Sequence, residues 1–185
     1  MKKLLMLISN GFEELEALSV ADLGRRAGVL VDICSITGSR TLTGSHRIEI
    51  SADRVLSDCD TPEALVCAYD GLVLPGGQPN ANTLRDDPRV ISIAGAFHRQ
   101  KKLIGAICAA PIVLERAGLL KNRKATSYPN CLNETACRYL KEPVVTDGNL
   151  VTSRGAGTAI AFALGLISAL GLSAEAESVK NSILY

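Results

Sequence analysis

The chain has no tryptophan and few other aromatics, with three phenylalanines and four tyrosines in 185 residues. Its core must therefore be built mainly from Leu, Ile, Val and Ala. Charge of one sign is also lacking: the formal net charge is +1. No basic or acidic block is present, which removes the electrostatic case for nucleic acid or an anionic membrane as partner. Histidine occurs twice, as His46 and His98, and none of the six cysteines forms a C-x-x-C pair. A structural zinc site is excluded on that ground. Long apolar runs are missing too. Ala159–Leu172 contains Ser168 and falls short of the roughly 18–20 residues a bilayer span needs. The opening Met1–Ile8 run is too short for a signal peptide, has no small-residue cleavage site, and leads into Glu13-Glu14. It reads as a core strand. Without a secretory signal, Cys34, Cys59, Cys67, Cys108, Cys131 and Cys137 are expected as reduced thiols in the cytoplasm.

What remains is an alternation of strand and helix signals. Strands are expected at Lys3–Ile8, Val29–Ile36, Tyr69–Leu74, Leu103–Ile107, Lys124–Ser127 and Asn149–Thr152. Helices are expected at Glu13–Arg26, Pro62–Ala68, Pro88–Gln100, Pro111–Leu120, Ala159–Leu172 and Ala174–Ile183. Residues 38–58 read as a Gly-, Ser- and Thr-rich excursion with one or two short strands around His46–Ser51. This order predicts one domain over residues 1–185 with a doubly wound, mostly parallel sheet and helices on both faces. Ligands bind outside the carboxyl ends of the strands in such sheets. The loops after Ile8, Leu74 and Ile107 should gather there.

Those loops hold the residues with chemistry. Cys108 stands where a buried strand gives way to a helix opened by Pro111. A thiol facing a helix N-terminus is expected to have its pKa lowered from about 8.5, and the thiolate is the reactive form. Glu16 shares a helical face with Val20, Leu23 and Ala27, an apolar stripe that would desolvate its carboxyl and let it keep a proton near neutrality. Glu13 projects toward Ala17 and Val20, so periodicity alone does not separate the two glutamates. Gly76-Gly77 offers unobstructed backbone N–H groups, and donors from Gly77 and Ala109 would form an oxyanion hole beside Cys108. Gly155-x-Gly157 starts like a dinucleotide fingerprint, but Ile160 occupies the third position and too little chain follows. The G-x-x-x-x-G-K-[ST] phosphate loop is absent, so no nucleotide cofactor is expected. His98 reads as a helix-end residue and His46 lies in the excursion. Tyr128, in Ser127-Tyr128-Pro129, is better placed to approach the thiol.

Five segments in order, Asn10–Glu16, Arg25–Gly28, Tyr69–Gly77, Ala106–Pro111 and Thr152–Thr158, resemble the DJ-1/ThiJ/PfpI superfamily. The similarity is to the branch of the Parkinsonism-associated deglycase and its bacterial relatives. The resemblance implies a flavodoxin-like fold, akin to class I glutamine amidotransferases, and a homodimer. It implies Cys108 as nucleophile, Glu16 as its protonated partner, Gly76, Gly77 and Ala109 as the oxyanion and substrate-binding turn, and no metal or cofactor. Arg26, Ser153 and Arg154 match residues near the pocket mouth or dimer contact. Tyr128 stands where the branch often has histidine, and His46 where arginine is frequent. The protease-like branch carries histidine directly after the cysteine, a position held here by Ala109, so peptidase activity is not expected. The implied activity is glyoxalase III-type conversion of dicarbonyls such as methylglyoxal, or deglycation of early adducts, on a small aldehyde or glycated substrate. The alternative is a redox sensor or stress chaperone that works through oxidation of Cys108.

Overall fold

In the computed structural model, which describes residues 1–133 and 135–185, the apolar runs become strands buried on both faces. The first strand, β1 (Lys3–Ile8), alternates its side chains across the sheet. Leu5 and Leu7 enter one core with Leu72, Leu74 and Phe97, while Leu4, Met6 and Ile8 enter the other with Val73 and Phe162. Both faces are covered, as parallel sheets require.

The chain continues through α1 (Glu14–Arg26), β2 (Leu30–Ser35), the short strands β3 (Thr41–Thr43), β4 (Glu49–Ser51) and β5 (Arg54–Val55), then α2 (Pro62–Ala68) and β6 (Gly71–Leu74). Next come α3 (Gln78–Asp86), α4 (Pro88–Arg99), β7 (Leu103–Ile107), α5 (Pro111–Arg116) and the brief strands β8 (Lys124–Ala125) and β9 (Arg138–Tyr139). The chain closes with β10 (Val144–Asp147), β11 (Leu150–Ser153), α6 (Ala159–Ala169) and α7 (Ser173–Ser182). Among the described residues the central sheet runs β10-β11-β7-β6-β1-β2-β5. All pairs are parallel except β10 with β11. Helices α1, α6 and α7 pack on one face and α2, α3, α4 and α5 on the other. This is the doubly wound, flavodoxin-like α/β fold. Strand order reverses at β1, so the loops leaving β1 and β6 form the switch-point crevice.

Three sequence expectations change and one helix is new. Residues 78–86, to which the sequence pattern gives no element, form a helix with Pro79 in its first turn and Ala81 and Leu84 buried. Lys124–Ala125 pairs with Arg138–Tyr139 in a separate two-stranded sheet instead of joining the central one. The excursion strand is confined to Glu49–Ser51, opposite Thr41–Thr43, and leaves His46 in the turn. Finally, α5 stops at Arg116 rather than reaching Leu120. No helix among the described residues is long and apolar enough to cross a membrane.

Candidate active site

Three chain turns meet at the carboxyl ends of β1, β6 and β7. Immediately after β7, Cys108 adopts φ +63°, a left-handed conformation that L-residues avoid. The strain is held by hydrogen bonds on both sides. The Cys108 N–H donates to the Ser153 carbonyl at 3.0 Å, and the Cys108 carbonyl accepts from the Tyr128 N–H at 2.8 Å. The resulting elbow lifts the side chain out of the strand. Ser153, fully buried, is fixed in turn by its hydroxyl, which donates to the Pro143 carbonyl at 2.7 Å.

Glu16 comes from the first turn of α1 and is completely buried. Its Oε2 accepts the Gly76 N–H at 2.8 Å. Its Oε1 is buried without a hydrogen-bond partner, and the carboxyl as a whole interacts with the Cys108 thiol. An ideal Cβ placed on Gly155 would stand 3.9 Å from Cys108 Sγ and 4.0 Å from Glu16 Oε1, so both atoms look onto the same point. Tyr128 flanks it with a half-exposed ring, its Cδ2 3.4 Å from the same Cβ position.

The Gly76-Gly77 turn has no room for side chains. A Cβ on Gly76 would lie 2.5 Å from Glu16 Oε2 and 2.6 Å from Cys108 Cβ. Gly77 has φ +84°, and a Cβ there would collide with the Gly11 carbonyl oxygen. The backbone amides of Gly77 and Ala109 lie beside Cys108 and favour the charged form of its sulfur. They are the donors expected of an oxyanion hole.

The electrostatics differ from the sequence expectation in one respect. Burial pushes the Glu16 carboxyl up to about 7, against the opposing pull of the Gly76 N–H. The thiol is not lowered. Burial first, and then the charge of Glu16, push Cys108 up to about 12, with the Gly77 and Ala109 amides resisting. The helix behind the thiol is only six residues long, too short to outweigh a dry pocket with a second acid in it. Two acids in one such pocket do not ionise together, so from about pH 7 up to strongly alkaline pH Cys108 and Glu16 hold a single proton between them. A charged sulfur exists there only while Glu16 carries that proton.

The other expected residues divide. Arg154 stays near the mouth by sequence, but its guanidinium donates to the Lys141 carbonyl at 3.3 Å. Arg26 lies at the far end of α1 from Glu16, paired with Asp22 at 3.0 Å. His46 does not serve the thiol. It is exposed, with Nδ1 at 2.8 Å from Glu14 Oε2 and 3.5 Å from Glu13 Oε2. The Glu14 hydrogen bond raises the imidazole pKa. The donor atoms of Glu13, Glu14 and His46 lie within 4.8 Å of one another, but they satisfy each other as a charge-paired cap on α1. Two residues receive no role from sequence reading: Gly155, which lies in a failed nucleotide motif and in the Thr152–Thr158 segment, and Asn80, hidden in a polar Pro-Asn-Ala-Asn run.

Known proteins share this arrangement of elements. The chain is 34% identical over 167 residues to Protein DJ-1 homolog B of Arabidopsis thaliana, covering 89% of this chain and 37% of that protein. It is 29% identical over 189 residues to the Glutathione-independent glyoxalase DJ-1 of Schizosaccharomyces pombe, covering 99% of this chain and 98% of that one. The structure of oxidized Toxoplasma gondii DJ-1 superposes with a TM-score of 0.89 at 32% identity, covering 100% of this chain and 99% of that one. The DJ-1/PfpI family pattern matches residues 2–169. With the sheet order, the cysteine elbow and this match in agreement along nearly the whole sequence, the chain belongs to the DJ-1/PfpI family.

Proposed function

We propose that this protein is a cofactor-independent enzyme that converts small reactive dicarbonyls, methylglyoxal foremost, into hydroxy acids through Cys108. The observation that carries this reading is the completely buried Glu16 carboxyl, with one oxygen unpartnered, interacting with a cysteine on a strained elbow. A carboxyl raised to about 7 is matched to proton transfer at neutral pH. As the Cys108 sulfur attacks the aldehyde carbon, its proton passes to Glu16 Oε1 and a hemithioacetal forms. The Gly77 and Ala109 N–H groups stabilise the negative charge that develops on the aldehyde oxygen. Glu16 passes the thiol's proton on to that oxygen and, as a carboxylate again, removes the hydrogen on the former aldehyde carbon and returns it to the adjacent carbonyl carbon while the hydroxyl proton moves to the neighbouring oxygen, leaving a thioester. Water releases lactate and restores the thiol. Methylglyoxal plus water equals lactate, so the reaction needs no external oxidant or reductant. The relative named a glutathione-independent glyoxalase supports this reading. Lactate formed from methylglyoxal is measured for the wild-type protein, Cys108→Ala and Glu16→Gln. The account expects turnover in the first alone; equal yields from all three would end it.

One observation favours a second reading. The amides beside the sulfur, and the acid next to it, equally suit a sulfinate accepting a hydrogen bond from Glu16. Two equivalents of hydroperoxide would supply the two oxygens, each reduced to water or alcohol. Peptide mass spectrometry after mild peroxide tests it. Doubly oxygenated Cys108 without dicarbonyl turnover supports sensing, whereas modification spread over all the thiols opposes it.

A further inference from the structure

Asn80 is a fully buried polar residue in the first turn of α3 that makes no contact with Cys108 or Glu16, yet its hydrogen bonds lead to both. Its Nδ2 donates to the Pro75 carbonyl at 2.8 Å and to the Gly76 carbonyl at 3.0 Å. Its Oδ1 accepts the Ser9 N–H at 2.7 Å and the Ser9 hydroxyl at 3.1 Å. One amide thus ties the end of β1 to the turn after β6 with all its hydrogen-bonding capacity engaged.

The consequence follows from peptide geometry. Every peptide here is trans, so each C=O points opposite to the N–H of the same planar unit. The Pro75 carbonyl shares its plane with the Gly76 N–H, which donates to Glu16 Oε2 at 2.8 Å. The Gly76 carbonyl shares its plane with the Gly77 N–H, which favours the charged form of the Cys108 sulfur. By gripping both carbonyls on one side, Asn80 aims both N–H groups at the other. Without that grip the Pro75 carbonyl loses its side-chain donor and the Gly76 carbonyl keeps only the Glu13 N–H at 3.1 Å, and neither glycine has a Cβ to resist rotation.

We propose that Asn80 is a positioning residue that sets the donor geometry of the reactive pair, orienting one amide on the carboxyl of Glu16 and the next on the sulfur of Cys108. The proposal rests on reading Cys108 and Glu16 as that pair. The test uses Asn80→Asp, which keeps shape and the Ser9 contacts but replaces both donors with an acceptor, and Asn80→Ala. Two readouts are taken on folded protein: methylglyoxal turnover, and the pH dependence of Cys108 alkylation by iodoacetamide. Loss of one aimed oxyanion donor lowers kcat on the order of 100-fold with a smaller change in KM. Loss of the Gly76 N–H from Glu16 moves the alkylation midpoint alkaline by about one pH unit. A variant whose kcat and midpoint both match wild type overturns the proposal. Alkylation does not involve the substrate, so the two readings fail separately. A shifted midpoint in an enzyme without methylglyoxal turnover keeps the clamp and removes the substrate; normal turnover and midpoint in the variants do the reverse. Should neither variant fold, NMR of the wild type decides. Slowly exchanging Asn80 side-chain protons, with Gly76 and Gly77 amide shifts that follow Glu16 titration, support the clamp; fast exchange and unmoved shifts overturn it.

Discussion

Replacing Glu16 with glutamine removes one ionisable proton from the pocket while keeping the shape of the side chain. The new side chain still offers an oxygen to the Gly76 N–H, which holds Glu16 Oε2 at 2.8 Å. What disappears is the base. In the wild-type protein the first proton leaves the Cys108–Glu16 pair near the raised value of Glu16, about 7. Cys108 alkylation should therefore rise with a midpoint near pH 7. In the variant Cys108 is a lone thiol whose ordinary value is 9.0, raised by burial and lowered by the Gly77 and Ala109 amides. Its midpoint should move alkaline of 7, toward that of a lone buried thiol, with no loss of thiolate at neutral pH, because the Glu16 charge that raises Cys108 is gone. Turnover nonetheless falls, because general-base assistance in the proton transfers contributes about 10²–10⁴-fold. Iodoacetamide alkylation followed by mass spectrometry between about pH 5 and 10, beside lactate release near neutral pH, provides both numbers. A Glu16→Gln protein that keeps an alkylation midpoint near 7 would refute the coupling, since the thiol would then be activated without its neighbour.

Stability should report the same burial. The folded-state pKa of Glu16 lies above its ordinary 4.5, so the folded protein binds more protons and loses stability as pH rises from about 4.5 through 7. Glu16→Gln removes this penalty: against wild type it should gain up to about 3 kcal/mol more at pH 8 than at pH 4, read from urea midpoints. Gly77→Ala forces a side chain into φ +84° and against the Gly11 carbonyl. It should cost about 3 kcal/mol or more by thermal denaturation and abolish turnover. His46→Ala should leave kcat within about threefold of wild type, because imidazole takes no part in the proposed proton transfers. A hundredfold loss would place His46 in the chemistry after all.

The parts of this site that are legible in sequence share a local signature. Cys108 lies between an unbroken apolar strand and a proline-opened helix, and that junction alone dictates an elbow. Val20 and Leu23 repeat at helical spacing behind Glu16 and prove buried with it, but Glu13 also projects toward Val20, and only the family resemblance separates the two. The ionisation of Cys108 is not legible in the same way. A helix N-terminus is visible in sequence, whereas the acid that opposes it arrives from a helix more than eighty residues away. The α3 helix escapes because Asn and Pro are poor helix formers, and what holds α3 is Ala81 and Leu84 in the core with Asn80 on two loops. His46 is undecidable for the same reason: its partners, Glu13 and Glu14, are near only after folding.

The single proton held between sulfur and carboxyl can be observed directly. Carbon-13 NMR of the Glu16 side-chain carboxyl, recorded across the acid-to-alkaline range beside ultraviolet thiolate absorbance, follows both atoms in the intact protein. The structure predicts a Glu16 carbon that stays protonated well above pH 4.5 and titrates near 7, and a Cys108 that does not add a second charge until strongly alkaline pH. A Glu16 carboxyl that titrates near 4.5, together with a full thiolate signal at pH 7, would put two charges in the pocket and contradict the account.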